Sequence, residues 1–224
     1  LDAMVNNPKG QVIVPTGGGK TMCMIEDAKR VFRTQEVSTI VVVAPRILLA
    51  EQLCSEFLET GEFNDVRVMH VHSGETDHFS STKVSDIRYH NFLCYESNQL
   101  IFTTYHSLHR VQESDIVVDV VYFDEAHNSV QRNFYPSVEF YATGGSNRCF
   151  FFTATPKHSL TPFKAGMNDS KVYGQVICQV PAPHLVDQGY ILPPKVEVYE
   201  SRLLDKHELV ADRDCEQMIN SIDN

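Results

Sequence analysis

The run Gln11-Val12-Ile13-Val14-Pro15-Thr16-Gly17-Gly18-Gly19-Lys20-Thr21 decides how the rest of the chain is read. Its first residues are apolar and β-branched and read as a strand, while Met22 to Phe32 carries helical spacing. A strand that turns through three adjacent glycines into a helix can bring backbone N–H groups onto phosphate oxygens, because no Cβ blocks the approach. The helix N-terminus adds positive potential at the same point. Lys20 then offers a charge to the outer phosphates, and the Thr21 hydroxyl offers a ligand to Mg²⁺. Thr16, Gly17, Gly18 and Gly19 form the cradle around them. The usual phosphate-loop pattern has glycine where this chain has Val14, a departure at the base of the loop rather than in the anion cradle.

Outward from this loop, short β-branched runs alternate with helical stretches. Thr39 to Val43, Val66 to Met69, Gln99 to Thr103, Val117 to Phe123 and Arg148 to Thr153 read as further strands. Several are continuously apolar, as central strands of a parallel sheet covered on both faces must be. Ile47 to Leu58 and Asn128 to Tyr141 have helical spacing, although Pro136 must start, kink or break the second. The alternation predicts an α/β fold with right-handed crossovers and a mostly parallel sheet. Residues 73–96 are polar and mixed and predict a surface excursion with a short helix. After Thr155-Pro156 a density of prolines and glycines predicts a segment wrapped along the sheet edge, then a late strand from Lys195 to Tyr199.

Two more strand tips carry chemistry. Val120-Val121-Tyr122-Phe123 ends in Asp124-Glu125-Ala126-His127, and strand tips on the loop's edge of an open α/β sheet are where a ligand crevice forms. Asp124 can hold Mg²⁺ and Glu125 can polarise an attacking water. Phe151-Phe152-Thr153-Ala154-Thr155-Pro156 places hydroxyls at a third tip, within reach of His127 or the carboxylates.

Composition excludes other classes. The longest apolar run, Ile40 to Ala44, is far short of the roughly 20 residues of a membrane helix. The formal charge of −10 argues against a general nucleic-acid binder, whose footprint is basic. The six cysteines are scattered singly, which predicts a reduced, intracellular protein without a zinc-ligand pattern. His70 and His72 lie on one face of a strand and, as two ligands only, read as ordinary strand histidines. A chain that starts at Leu1 and ends at Asn224 without a terminating pattern reads as a fragment.

In order and spacing, Pro15–Thr21, Ala44–Leu53, Thr103–Leu108, Asp124–His127 and Thr153–Pro156 resemble the first motor domain of a DEAH-box-type superfamily 2 helicase. The similarity is to the branch of DNA translocases, restriction-type motor subunits and related viral helicases. It implies a RecA-like P-loop NTPase domain over residues 1–200, with 201–224 a linker or the start of a second motor domain. ATP and Mg²⁺ are the implied cofactors, with Thr16 to Thr21 and Asp124 holding the nucleotide and Thr21 and Asp124 the metal. Lys20, Glu125 and His127 are the implied catalytic set, and His127, Thr153 and Thr155 couple hydrolysis to movement. Pro45, Arg46, Thr103, Thr104 and Ser107 are the implied contacts to a nucleic-acid backbone, with a helix N-cap as the other reading of Ser107.

The implied partners are DNA, single-stranded or duplex, with RNA less favoured, and a second RecA-like domain of the same full-length chain. No membrane is implied. The family's adenine-reading glutamine would precede Leu1 and its arginine finger would follow Asn224, so this stretch alone is expected to hydrolyse ATP poorly. A nucleotide-dependent switch or scaffold without motor activity, an RNA helicase and a phosphotransferase on the same fold remain the alternatives.

Overall fold

The computed structural model describes residues 1–161 and 163–193. Helix α1 (Asp2–Val5) leads into β1 (Lys9–Ile13), and α2 (Lys20–Thr34) follows the glycine loop. Next come β2 (Thr39–Ala44), α3 (Ile47–Glu59), β3 (Arg67–Val71), β4 (Phe79–Ser80), α4 (Val84–Leu93), β5 (Gln99–Thr104) and α5 (Leu108–Glu113). The chain continues through β6 (Val118–Phe123), α6 (Tyr135–Phe140), β7 (Ser146–Thr153), α7 (Ser170–Tyr173), β8 (Val176–Gln179) and α8 (Ala182–Asp187). All the described strand pairs are parallel, in the order β4-β3-β5-β2-β6-β7-β1-β8.

The sheet is buried on both faces, which is why its strands are continuously apolar rather than alternating. In β2 all six residues are buried. Val41 and Val43 enter one core with Ile87 of α4, Leu108 and Val111 of α5, Val138 of α6 and Tyr173 of α7. Ile40, Val42 and Ala44 enter the other, with Met24 and Ala28 of α2 and Leu53 and Phe57 of α3. The expected α/β fold is therefore the observed one.

Two expectations are refined. The stretch predicted as one helix from 128 to 141 is divided. A 3₁₀ turn covers Ala126–Asn128, α6 begins at Tyr135 with Pro136 in its first turn, and a π-turn runs over Tyr141–Gly145. Proline fits a first turn because its missing N–H is unpaired there in any case. The proline-rich stretch does lie on the sheet edge, and β8 within it adds a strand to β1 that its composition hides. A first unit takes in Leu1–Ile191 and a second Leu192–Asn224. The expected strand from 195 to 199 and the segment 201–224 lie outside the described residues.

Candidate active site

The topology brings three strand tips together. β7 lies between β1 and β6, so Val14, Thr153 and Asp124 leave the sheet side by side. The Val14 N–H donates to Thr153 O at 3.0 Å, and the Asp124 N–H to Val43 O at 2.9 Å. Gly17 and Gly19 take positive φ of 75° and 87°, which disfavours any side chain there. Gly18 is needed for a different reason, since a Cβ would stand 2.6 Å from Val14 Cγ1 and 2.9 Å from Leu185 Cδ1. Val14, the departure from the usual pattern, is a buried member of the core beside α2 and α3. Packing accounts for it, and the cradle is untouched.

Gly19 is the N-cap of α2 and Lys20 its first residue. Lys20 Nζ stands 3.4 Å from Glu125 Oε1 and 3.4 Å from the Val14 carbonyl. Burial, and then the adjacent Glu125 charge, push the Asp124 carboxyl up to about 6. The Asp124 carbonyl accepts from Tyr105 Oη at 2.9 Å. Glu125 has a left-handed backbone, φ 43° and ψ 53°, a conformation that costs a non-glycine residue about 1–3 kcal/mol and clusters at functional sites. His127 Nδ1 lies 3.4 Å from Glu125 Oε2 and 3.1 Å from Thr153 Oγ1. Thr153 Oγ1 in turn accepts from the Thr155 N–H at 3.1 Å. Lys20, Glu125, His127, Thr153 and Thr155 thus form one continuous polar chain across the tips of β1, β6 and β7.

The crevice beside this chain holds about 680 Å³. It is lined by Thr16, Gly17, Gly19, Lys20, Thr21, Asp124 and Glu125, as the sequence predicts, and also by α3 through Gln52, Glu56 and Glu59. Sequence reading missed this wall. Its trace is the polar spacing Gln52, Glu56, Glu59 (i, i+4, i+7), which shares one face of the helix. Four carboxylates (Glu56, Glu59, Asp124, Glu125) therefore face a single lysine among the described lining residues. Such a donor set fits a triphosphate only when the triphosphate brings a cation, as Mg²⁺–ATP does. The cradle itself has room, because a Cβ on Gly19 would meet nothing within 4 Å. A larger groove of about 930 Å³, beside Arg132, Tyr135 and Lys157, contains none of these groups.

The residues expected to touch nucleic acid lie at the ends of β2 and β5 or just beyond them, on neighbouring strands that end on the same sheet edge. Pro45 is half-buried and Arg46 exposed, just before α3. Thr103 and Thr104 are buried, however, and the Thr103 hydroxyl donates to Val71 O at 2.8 Å within the sheet. Neither threonine is therefore at the surface, and the residue this loop presents there is His106. Ser107 occupies the N-cap position of α5 but its side chain makes no capping bond. Among the described residues, no helix is long and apolar enough to cross a membrane.

Comparison with known proteins adds to this geometry. A family model described as "Type III restriction enzyme, res subunit" matches residues 2–158. No curated protein matches by sequence. Among solved structures, a nuclease-deletion mutant of the Type ISP restriction-modification enzyme LlaGI in complex with a DNA substrate mimic is similar over 85% of this chain and 19% of its own. The TM-score is 0.66 at 20% identity. The ATP-dependent Type ISP enzyme LlaBIII bound to DNA is similar over 83% of this chain and 15% of its own, with TM-score 0.64 and 19% identity. The UvsW helicase of bacteriophage T4 covers 78% of this chain and 57% of its own, with TM-score 0.54 and 18% identity. The chain spans less than a fifth of the length of the two restriction-modification enzymes.

Proposed function

The chain belongs to the family of type III restriction enzyme res subunits, and on that premise we propose that it is the first RecA-like domain of an ATP-driven motor acting on DNA, a helicase or translocase. The observation that carries the proposal is the polar chain from Lys20 to Thr155. It links a phosphate loop to an acidic strand tip and then to a hydroxyl-bearing tip, as an engine that reports nucleotide state would require.

In this reading Thr16 to Thr21 hold the triphosphate, and Thr21 with Asp124 hold Mg²⁺, which when bound supplies charge neutralisation at the phosphates. Glu125 orients and deprotonates the attacking water. Its strained backbone and its contacts with Lys20 and His127 fix where the carboxylate points. His127 senses that carboxylate through Nδ1 and passes the change to Thr153 and Thr155. Pro45, Arg46 and the turn that presents His106 and Ser107 follow the backbone of one strand, a contact that tracks without reading sequence. Thr103 supports that turn from inside the sheet.

DNA is favoured over RNA as the track because two of the similar structures are DNA complexes. A second RecA-like domain of the full-length chain supplies the other half of the track. An intracellular enzyme is the setting we infer, from cysteines scattered singly along the sequence. Lys20 is the only cation among the described residues lining the crevice. Hydrolysis by this domain alone is therefore slow, since an arginine at the transition state is commonly worth about 10³–10⁵ in rate. The test is displacement of a third strand from a DNA triplex by a protein extended through its second motor domain. ATP-dependent displacement that Glu125→Gln abolishes supports the motor, and ATP binding without displacement supports the switch.

A further inference from the structure

Outside the crevice, the described residues hold one place where metal-ligating atoms converge. Glu51 on α3 reaches across to His70 and His72 at the end of β3. Glu51 Oε1 is 3.2 Å from His70 Nδ1 and 3.1 Å from His72 Nε2, and the two nitrogens are 3.0 Å apart. The three atoms make a nearly equilateral triangle. Donors held at about 2.0–2.1 Å by one tetrahedral ion stand about 3.3 Å apart, so this triangle is close to one face of such a shell.

A hydrogen bond between His70 Nδ1 and His72 Nε2 accounts for one side of the triangle, but not for the carboxylate. Both imidazoles are almost wholly buried. Glu51 Oε1 is itself buried and receives no aligned hydrogen bond, although two ring nitrogens are within 3.2 Å of it. A buried carboxylate oxygen without a donor is costly, and a cation at the centre of the triangle removes the cost.

We propose that Glu51, His70 and His72 form a binding site for a divalent transition-metal ion, with zinc as the ion that two imidazoles and one carboxylate suit best. Three protein ligands leave the fourth position to water. The site ties the first turns of α3, just beyond Arg46, to the end of β3 and the turn that follows it. Binding has a local consequence. The Gly74 N–H now donates to His72 Nδ1 at 3.2 Å, whereas ligation through Nε2 leaves the ring proton on Nδ1. Metal uptake therefore turns the Gly74 amide away from His72, at a position where a Cβ would stand 2.4 Å from Ile47 Cγ2 of α3.

The test uses the full chain, stripped with a chelator, loaded with Zn²⁺ and dialysed, with bound zinc measured by mass spectrometry. About one retained equivalent per chain is expected, lost in His72→Ala and in Glu51→Gln. Glu51 is partly exposed and the second change is nearly isosteric, so circular dichroism and ATP binding should show it folded. Loading with Co²⁺ should give weak visible bands and no thiolate charge-transfer band, and Zn²⁺ should shift the Gly74 amide resonance. Zinc retained equally by both variants, a thiolate band, or an unchanged melting temperature and no retained zinc would each overturn the proposal.

Discussion

At the scale of single residues, the proposed roles separate binding from chemistry. Lys20 starts α2 and points into the crevice, not the core. Lys20→Ala is expected to abolish Mg²⁺–ATP binding, read by titration with a fluorescent ATP analogue, and to leave a cooperative unfolding curve. Glu125→Gln keeps the shape of the side chain and loses the base. It should bind the analogue as wild type does and hydrolyse about 10²–10⁴-fold more slowly. Equal loss of binding in both variants would mean that Glu125 belongs to the nucleotide-holding set. These residues were legible in the sequence because a glycine loop and a paired acidic tip need few neighbours to be recognised. The wall from α3 was not, because Gln52, Glu56 and Glu59 acquire meaning only when the fold turns them toward the loop.

At the scale of elements, a buried ion network holds the helix behind the phosphate loop to the sheet. Asp27 on α2 is fully buried and accepts from Tyr122 Oη of β6 at 2.7 Å, from Arg148 of β7 at 2.9 and 3.0 Å, and from Arg30 at 2.7 Å. Burial works to raise the Asp27 carboxyl, and the bonds from Arg148, Arg30 and Tyr122 outweigh it, so its pKa is lowered. Asp27→Asn leaves Arg148 without its partner and should cost about 3–5 kcal/mol in urea unfolding at neutral pH. A carboxyl held below its unfolded value of about 3.9 contributes fully above that pH and loses its contribution as pH falls through the lowered value. The gap between wild type and variant should therefore narrow below about pH 4, and a gap constant with pH would contradict the ionic account. Element boundaries were largely legible, since β2, β5 and β6 are long apolar runs. What was hidden had physical reasons. β8 is a short edge strand with exposed ends, and Thr103 reads as a surface hydroxyl until its neighbour β3 takes the bond.

At the scale of the whole molecule, the parallel sheet gathers every proposed functional loop on one edge, the crevice near β1, β7 and β6 and the strand-tracking loops after β2 and β5. This order was not readable from the chain, because strand sequence does not fix strand adjacency. β7, the sixth of the strands expected from sequence, lies between β6 and β1, and that insertion makes the His127–Thr153 contact possible. The net charge of −10 is compatible with a DNA track because only that edge needs to meet phosphate, and Arg46 is exposed there. The most direct test of the motor account is the ATP hydrolysis rate of a protein extended through the proposed second motor domain, measured alone and with single-stranded DNA, duplex DNA or RNA. The account predicts hydrolysis stimulated at least tenfold by DNA and more by DNA than by RNA, and lost in Glu125→Gln. Hydrolysis indifferent to all three polymers, with ATP binding intact, would contradict it.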